Sequence, residues 1–418
     1  MMQRIRLIEY QRSAPVCLTH EQIMAIGRVV PDMRVEAAPN EAGAYVLAPG
    51  SHVGVVVLPD VTLEIRPKIP MDRLFFLISH AMAPGMWRDE EIELDADASV
   101  LEAVAPVFVR LVARATYRGL LHGYKTHEEA SVVVRGRLRI DDQIRQRAGM
   151  MFPAEVRYDE FTDDILENQL LLAAMELLMR LPLRSAQTGR SLRELRSAFH
   201  AVTPQTFSSS CLPTVGFTRL NEHYRPAIGL ALLILKGGSL ELGSGRTTGI
   251  SLLLDMNDLF ERFVHRALRE ALGLDEQTFP RGRSGLALDE DRHVQLLPDL
   301  SWWRGGRCRF VGDVKYKRVN AQGIKHPDLY QLLAYTVAAN LECGLLIYAA
   351  GEGEPAQHTI PSVHKTLHVE TLNLAGPIDV IRGQIDRLAE RVRALGDASD
   401  SLRDQLCDAP ALVPPAGS

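Results

Sequence analysis

Apolar and polar positions change period several times along the chain, and each change marks a segment. In the first part IRLIEY alternates, while VGVVVLP and VTLEIRPKI are β-branched runs separated by the turn pair Pro59-Asp60. These predict a small strand-rich domain over residues 1–83, with EQIMAIGRVV as an inserted helix. From about residue 72 to 183 the period becomes helical: residues 101–121 are amphipathic and QLLLAAMELLMRL is strongly apolar. Between them SVVVRGRLRI predicts an extended segment, with Arg135, Arg137 and Arg139 lining one face. A polar stretch, RSAQTGRSLRELRSAF, interrupts the apolar pattern before a further helix at residues 224–236. Residues 84–245 thus read as a mainly helical region. The following GGSLELGSGRTTG lacks the residue order of a phosphate loop and is expected to be a flexible connection.

Residues 246–395 carry a mixed pattern. A helix-spaced stripe, Met256, Leu259, Phe260, Phe263, Val264 and Ala267, lies within residues 250–267. Two strand-like runs, HVQLL and CRFVGDVKY, flank Gly305-Gly306 and predict a hairpin. A helix over residues 326–339 begins near Pro327, and a buried strand follows at residues 344–348. A last amphipathic helix, residues 377–395, leads into an Ala/Pro-rich tail, residues 396–418, expected to be disordered.

Composition narrows the function classes. The chain has 418 residues, enough for two or three domains, with a net charge of -5, so nucleic-acid contact requires a local basic surface or a partner that grips the DNA. The five cysteines are scattered and never in C-x-x-C spacing, which suggests neither a disulfide framework nor a zinc site. No stretch approaches a membrane span and the first residues lack an apolar leader, so a cytoplasmic location is expected. Arg135, Arg137 and Arg139 repel one another unless DNA phosphate, a nucleotide phosphate in a partner, or acidic residues of this chain lie opposite. Asp159, Asp163 and Asp164 read as acids at a helix start, His122 and His127 as structural.

The chemistry concentrates at residues 295–318. On a strand Asp313 and Lys315 share one face while Val314 takes the other, and the hairpin brings Asp299 towards them. Two carboxylates beside a lysine suit Mg²⁺, which takes one or two protein carboxylates and a substrate phosphate oxygen. The carbonyl of Val314 is a natural further ligand. A metal-activated water beside a lysine is the chemistry of phosphodiester hydrolysis. Pro298-Asp299 and Asp313-Val314-Lys315 resemble the PD-(D/E)xK nuclease signature. That resemblance implies a glutamate on the preceding helix, matched by Glu261, and a Q-x-x-x-Y helix of the RecB-like branch, matched by Gln331 and Tyr335 one turn apart.

The order IRLIEY, LEIRPKI, VVVRGRLRI, YDEFTDDILENQLLLAAM, LLLDMNDLFERFV, LLPDL, VGDVKYKR resembles the McrC family, the nuclease component of McrBC-type modification-dependent restriction systems. It implies an α+β N-terminal region that binds a partner, followed by an α/β PD-(D/E)xK restriction-endonuclease-like domain with a mixed central sheet. It further implies a Mg²⁺-dependent endonuclease acting on modified DNA with an AAA+ GTPase of McrB type, which binds the GTP and whose hydrolysis the chain stimulates. Asp299, Asp313 and Lys315 take the catalytic positions, with Asp299, Asp313 and Val314 on the metal. Arg135, Arg137 and Arg139 are candidates for the partner's nucleotide only because arginine commonly stabilises phosphoryl transfer. A regulatory subunit with an unused nuclease site and a stand-alone RecB-like nuclease are the alternatives.

Overall fold

The computed structural model describes residues 3–39, 41, 43–82, 99–147, 150–242, 248–282, 285–316, 326–349 and 356–407. In order, the chain forms β1 (Gln3–Ile8), β2 (Val16–Cys17), α1 (His20–Val29), β3 (Arg34–Ala37), β4 (Ala44–Ala48), β5 (His52–Val57), β6 (Val61–Arg66), α2 (Met71–Met82) and α3 (Val100–Ala115). Then follow β7 (Gly123–Ser131), β8 (Arg137–Leu138), α4 (Ile140–Arg147), β9 (Ala154–Thr162), α5 (Leu166–Arg180), α6 (Ala186–Ala198), α7 (Arg225–Gly237), β10 (Gly238–Leu242) and β11 (Thr248–Asp255). The remainder is α8 (Met256–Leu272), β12 (Leu286–Ala287), β13 (Gln295–Leu296), β14 (Leu300–Arg304), β15 (Arg307–Lys315), α9 (His326–Ala338), β16 (Cys343–Ala349), β17 (Ala356–Ile360), β18 (Lys365–Leu372) and α10 (Ile378–Cys407). Two compact units result: Met1–Arg66 with Leu94–Leu254, and Pro67–Glu93 with Asp255–Ser418.

The first unit is built on a sheet of order β1-β6-β5-β11-β10, in which β1 runs parallel to β6 and β5 antiparallel to it. The alternation read in IRLIEY places Ile5 and Leu7 in a core with Val56, Leu63, Ile65 and, from α1, Ile26 and Val29. A capping box, Thr19 with Gln22, fixes the start of α1. Helices α3, α5, α6 and α7 pack together, α5 burying Leu170, Leu171, Leu172, Ala174 and Met175. A three-stranded sheet, β7-β9-β8, carries the chain from Gly123 to Thr162, and β7 has no fully buried residue. Its root is tied by Asp164, which accepts from Lys125 Nζ at 2.6 Å, Gln169 Nε2 at 2.8 Å and the Thr203 amide at 2.9 Å.

Four expectations change here. The run at residues 131–140 is not one strand: β7 ends at Ser131, β8 has two residues, and Ile140 already opens α4. Asp164 is a hub and not a helix cap, since Ile165 occupies the N-cap of α5 without a side-chain bond, and Asp159 lies within β9. Residues 250–255 are strand, joining the first unit's sheet through β11, and β10 begins inside the glycine-rich stretch expected to be a connection; residues 243–247 lie outside the described residues.

The second unit has a mixed sheet of order β14-β15-β16-β18-β17, with β15, β16 and β18 parallel and both edge strands antiparallel. Helix α9 covers one face through Leu332 against Leu346, Tyr348 and Val369. Helix α8, capped by Asp255 and ended by Gly273 in the left-handed conformation, buries the predicted stripe Met256, Leu259, Phe260, Phe263, Val264 and Ala267. Although read with residues 1–83, α2 packs on α8, Phe76 meeting Phe263 edge-on at 5.5 Å between ring centres. Helix α10 continues to Cys407, past the point where the tail was expected to become disordered; residues 408–418 lie outside the described residues.

Gly54 tests the packing of the first sheet. Its φ is +149°, and a Cβ there would stand 1.9 Å from the carbonyl oxygen of Leu252 on β11. Gly54→Ala is expected to cost about 2 kcal/mol or more, lowering Tm by roughly 5 °C, because backbone strain and overpacking add. Gly27→Ala, on α1 with nothing within 4 Å of the new Cβ, is expected to hold or raise Tm. Thermal unfolding of both followed by circular dichroism checks the contrast, and equal shifts contradict it.

Candidate active site

The site is made by the β14–β15 hairpin. Gly305 and Gly306, at φ +56° and +75°, supply the left-handed turn that L side chains resist, and the register sets Leu300 opposite Gly312 and Ser301 opposite Val311. The partner strand of β15 is therefore Leu300–Arg304 and not HVQLL, whose Gln295 and Leu296 pair with Ala287 and Leu286. Asp299 stands immediately before β14. Its Oδ2 accepts the amide of Val314 at 2.9 Å, which locks the first carboxylate to the strand that carries the second.

Strand alternation then separates function from core. Val311 packs with Tyr335 of α9, so Asp313 and Lys315, two and four residues on, share that face. Tyr316 turns the other way, against Phe260 of α8. Asp313 is fully buried; Lys315 Nζ lies 2.6 Å from its Oδ2 and 3.8 Å from Asp299 Oδ2. The close contact is an ion pair off the line a hydrogen bond requires, and neither Asp313 oxygen has an aligned donor among the described residues. Burial pushes Asp299 up to about 7, the Asp313 charge adds to this, and Lys315 and the Val314 amide offset only part. Burial also raises Asp313, against the pull of Lys315. Lys315 is raised because the two carboxylates outweigh its own desolvation.

Such a pair carries more negative charge than one ammonium neutralises, and the Asp313 oxygens lack an aligned donor among the described residues, which is the deficit a hard divalent cation fills. Asp299, Asp313 and the Val314 carbonyl are oxygen donors of the type Mg²⁺ takes. Among the described residues no three acidic, histidine or cysteine side chains converge, so Glu261 does not close a third corner. Glu261 is instead held by Arg281, through Nε at 3.1 Å and Nη2 at 2.9 Å, and Arg281 also reaches Asp258 at 2.7 Å. Burial and the Asp299 charge raise Glu261, against Arg281. Asp258 is desolvated too, yet Arg262 and Arg281 hold it at about 2.

Gln331 donates to the Tyr335 hydroxyl at 2.8 Å, and that hydroxyl donates to the carbonyl of Leu297 at 3.2 Å. The pair on α9 thus fixes the segment leading into Asp299. Two participants escaped the sequence reading. Arg281, in a loop with no motif, gave no local signal; Asp328, buried beside the site and accepting Tyr348 OH at 2.8 Å, was signalled only by lying one turn before the Gln331–Tyr335 pair. Arg135, Arg137 and Arg139 lie in the other unit. Acidic residues of this chain answer two of them: Arg135 pairs with Glu129 at 3.1 Å and bonds the Tyr158 hydroxyl, Arg139 pairs with Glu128 at 3.1 Å, and Arg137 is exposed.

A pH dependence follows from Asp299. Its folded pKa, about 7, lies above the ordinary 3.8, so between roughly pH 4 and pH 7 the folded state binds more protons than the unfolded one. Stability contributed by this group therefore falls as pH rises through that window. Asn retains the oxygen that accepts the Val314 amide but cannot ionise. In a chelator, Asp299→Asn is expected to melt above wild type at pH 8 and with it at pH 4; differential scanning calorimetry in both buffers reads this, and a variant melting lower at pH 8 refutes it.

Comparison with known proteins places the chain. It is similar in fold to a chain of the Thermococcus gammatolerans assembly of McrB AAA+ hexamers with bound McrC, at a TM-score of 0.53 and 19% identity over 93% of this chain and 100% of that one. A chain of the cryo-EM structure of the Thermococcus gammatolerans McrBC complex matches at 0.39 and 21% identity, over 65% of this chain and 88% of that one. No curated protein matches. The family model described as McrBC 5-methylcytosine restriction system component matches residues 47–349, more than half of the chain, and the protein belongs to that family.

Proposed function

We propose that this chain is the Mg²⁺-dependent DNA endonuclease subunit of a McrBC-like, modification-dependent restriction complex. The observation that carries the reading is the convergence of Asp299, Asp313 and Lys315 on one face of a hairpin, with Asp313 buried and without an aligned donor among the described residues. Asp299, Asp313 and the Val314 carbonyl would hold the ion, which when bound supplies Lewis-acid activation of water and neutralises charge on the scissile phosphate. Lys315 orients the attacking water and balances the phosphate's charge from beside Asp313. The amide of Val314 keeps Asp299 aimed at the site, and the Gln331–Tyr335 pair fixes the backbone before it. Water adds to phosphorus, one P–O bond breaks, and the departing oxygen takes up a proton. Glu261, aligned by Arg281, lies at the edge of this constellation.

The partner in this reading is an AAA+ GTPase of McrB type that recognises modified DNA and whose GTP hydrolysis the chain stimulates. The β7–β9 module suits docking. Over residues 132–152 it exposes the apolar side chains of Val132 (75%), Val133, Ile144, Met151 (81%) and Phe152. The fold likeness to a chain of McrB hexamers with bound McrC agrees with that role.

With partner, GTP and Mg²⁺, wild type is expected to cleave modified plasmid, while Asp313→Ala and Lys315→Ala lose on the order of 10²–10⁴-fold in rate and still stimulate GTP hydrolysis. Variants that cut as fast as wild type would leave the chain a regulatory subunit. Met151→Asp with Phe152→Asp is expected to weaken partner binding at least tenfold without lowering Tm, as read by analytical ultracentrifugation and calorimetry; undiminished binding removes the module from the interface.

A further inference from the structure

The polar stretch that interrupts the helical pattern forms α6, and the arginines it carries have no part in the site described above. From residue 179 to 193 the sequence holds Arg180, Arg184, Arg190 and Arg193 and no acidic residue, in a chain whose net charge is -5. Buried Thr188 and Leu192 turn one side of α6 to the core, which leaves Arg190 and Arg193, one turn apart, on the exposed side. Arg184 is answered by Glu64 at 3.3 Å and, further along, Arg196 by Glu176 at 3.0 Å. Arg180, Arg190 and Arg193 are exposed and meet no acid among the described residues.

Arg190 and Arg193 border a groove. A concavity of about 390 Å³ is lined by Met179, Pro182, Leu183, Ser185, Arg190 and Arg193. The guanidinium of Arg193 folds back over it, its Nη1 3.7 Å from where a Cβ on Gly189 would stand. Ser185 caps α6, its hydroxyl accepting the Thr188 amide, and the first turn of the helix faces the same groove through Ala186. Two guanidiniums one turn apart and the positive end of a helix dipole favour an anion with several oxygens. The groove is larger than one phosphate needs, and its Met179, Pro182 and Leu183 wall offers an apolar surface for the sugar between two phosphates.

We infer that the α5–α6 groove, through Arg190 and Arg193, grips the phosphate backbone of DNA independently of base sequence. The choice of DNA over an acidic protein rests on the nuclease reading; the binding surface itself does not. Backbone contacts of this kind position the duplex and carry no sequence information. They also supply the local basic surface that an acidic chain needs if it is to touch DNA itself.

The test uses the full chain carrying Asp313→Ala, in chelator, so that binding is read without cleavage. Fluorescence anisotropy with a 20-base-pair unmodified duplex is recorded from 25 to 200 mM KCl. Adding Arg190→Ala and Arg193→Ala is expected to weaken binding at least tenfold at 50 mM and to reduce the slope of log Kd against log salt by about two, since each lost phosphate contact removes about 0.9. Arg190→Lys with Arg193→Lys is expected to keep most of the slope, and Arg28→Ala, an exposed arginine on α1, to leave binding unchanged. No duplex binding by the parent, an unchanged slope, or an equal loss with Arg28→Ala overturns the inference. A double variant that binds DNA normally but loses the GTPase partner also overturns it and makes the groove a protein interface. Cleavage by the otherwise wild-type chain with partner is measured alongside: no duplex binding by the parent, or an unchanged slope, with cleavage intact refutes only the groove, whereas groove binding without cleavage by wild type refutes only the nuclease reading.

Discussion

The second unit is organised around the burial of one carboxylate. Asp313 has no exposed surface, and removing an ionised carboxylate from water costs several kcal/mol unless a cation and donors replace the water. Lys315 supplies the cation at 2.6 Å, but the second carboxylate, 3.8 Å from the same ammonium, leaves the cluster one positive charge short among the described residues. The fold maintains this imbalance by geometry. Gly305 and Gly306 set the hairpin register, the register sets Asp299 beside Val314, and the Val314 amide holds it there. A slip of one residue would carry Asp313 and Lys315 to the α8 face and bring Val314 to the site.

Much of this was legible because it depends on local rules. Period-two alternation put Asp313 and Lys315 together, the glycine pair marked the turn, and the i, i+4 spacing of Gln331 and Tyr335 placed them on one face of α9. What was misread depended on distant partners. HVQLL looks like the hairpin strand by composition, yet Leu300–Arg304, with Trp302 and Trp303 buried, competes better for β15. ISLLLD preceding a helix reads as helix, because a buried strand and a buried helix turn share a short apolar run; only its place beside β5 decides. Arg281 lies outside every local pattern, and only tertiary packing shows that it faces Glu261.

Charge is distributed unevenly within the first unit. The three arginines that alternate at residues 135–139 suggested an external anion, but Glu128 and Glu129 on β7 answer two of them, so that arginine run is largely compensated within its own module. Asp164 does the same at the module's root, where Lys125, Gln169 and Thr203 saturate its carboxylate. Against that background the uncompensated arginines of α6 stand out. Sequence spacing alone ranks the two sets the other way, since three arginines on one strand look more concentrated than four spread over fifteen residues. Only the positions of the acids reverse the order.

Glu261 shows how an arginine divides four acids into two roles. Asp299 and Asp313 face one lysine and share its charge, which leaves them short of positive charge and short of donors. Glu261 and Asp258 face Arg281 and Arg262, which satisfy them with aligned hydrogen bonds. A bound cation would therefore gain most at the first pair and would have to compete with a guanidinium at the second. Glu261 lies close enough for the Asp299 charge to raise its pKa, yet its carboxylate is already committed. Its part in any metal site is thus set by how firmly Arg281 holds it, and not by its position on α8 alone.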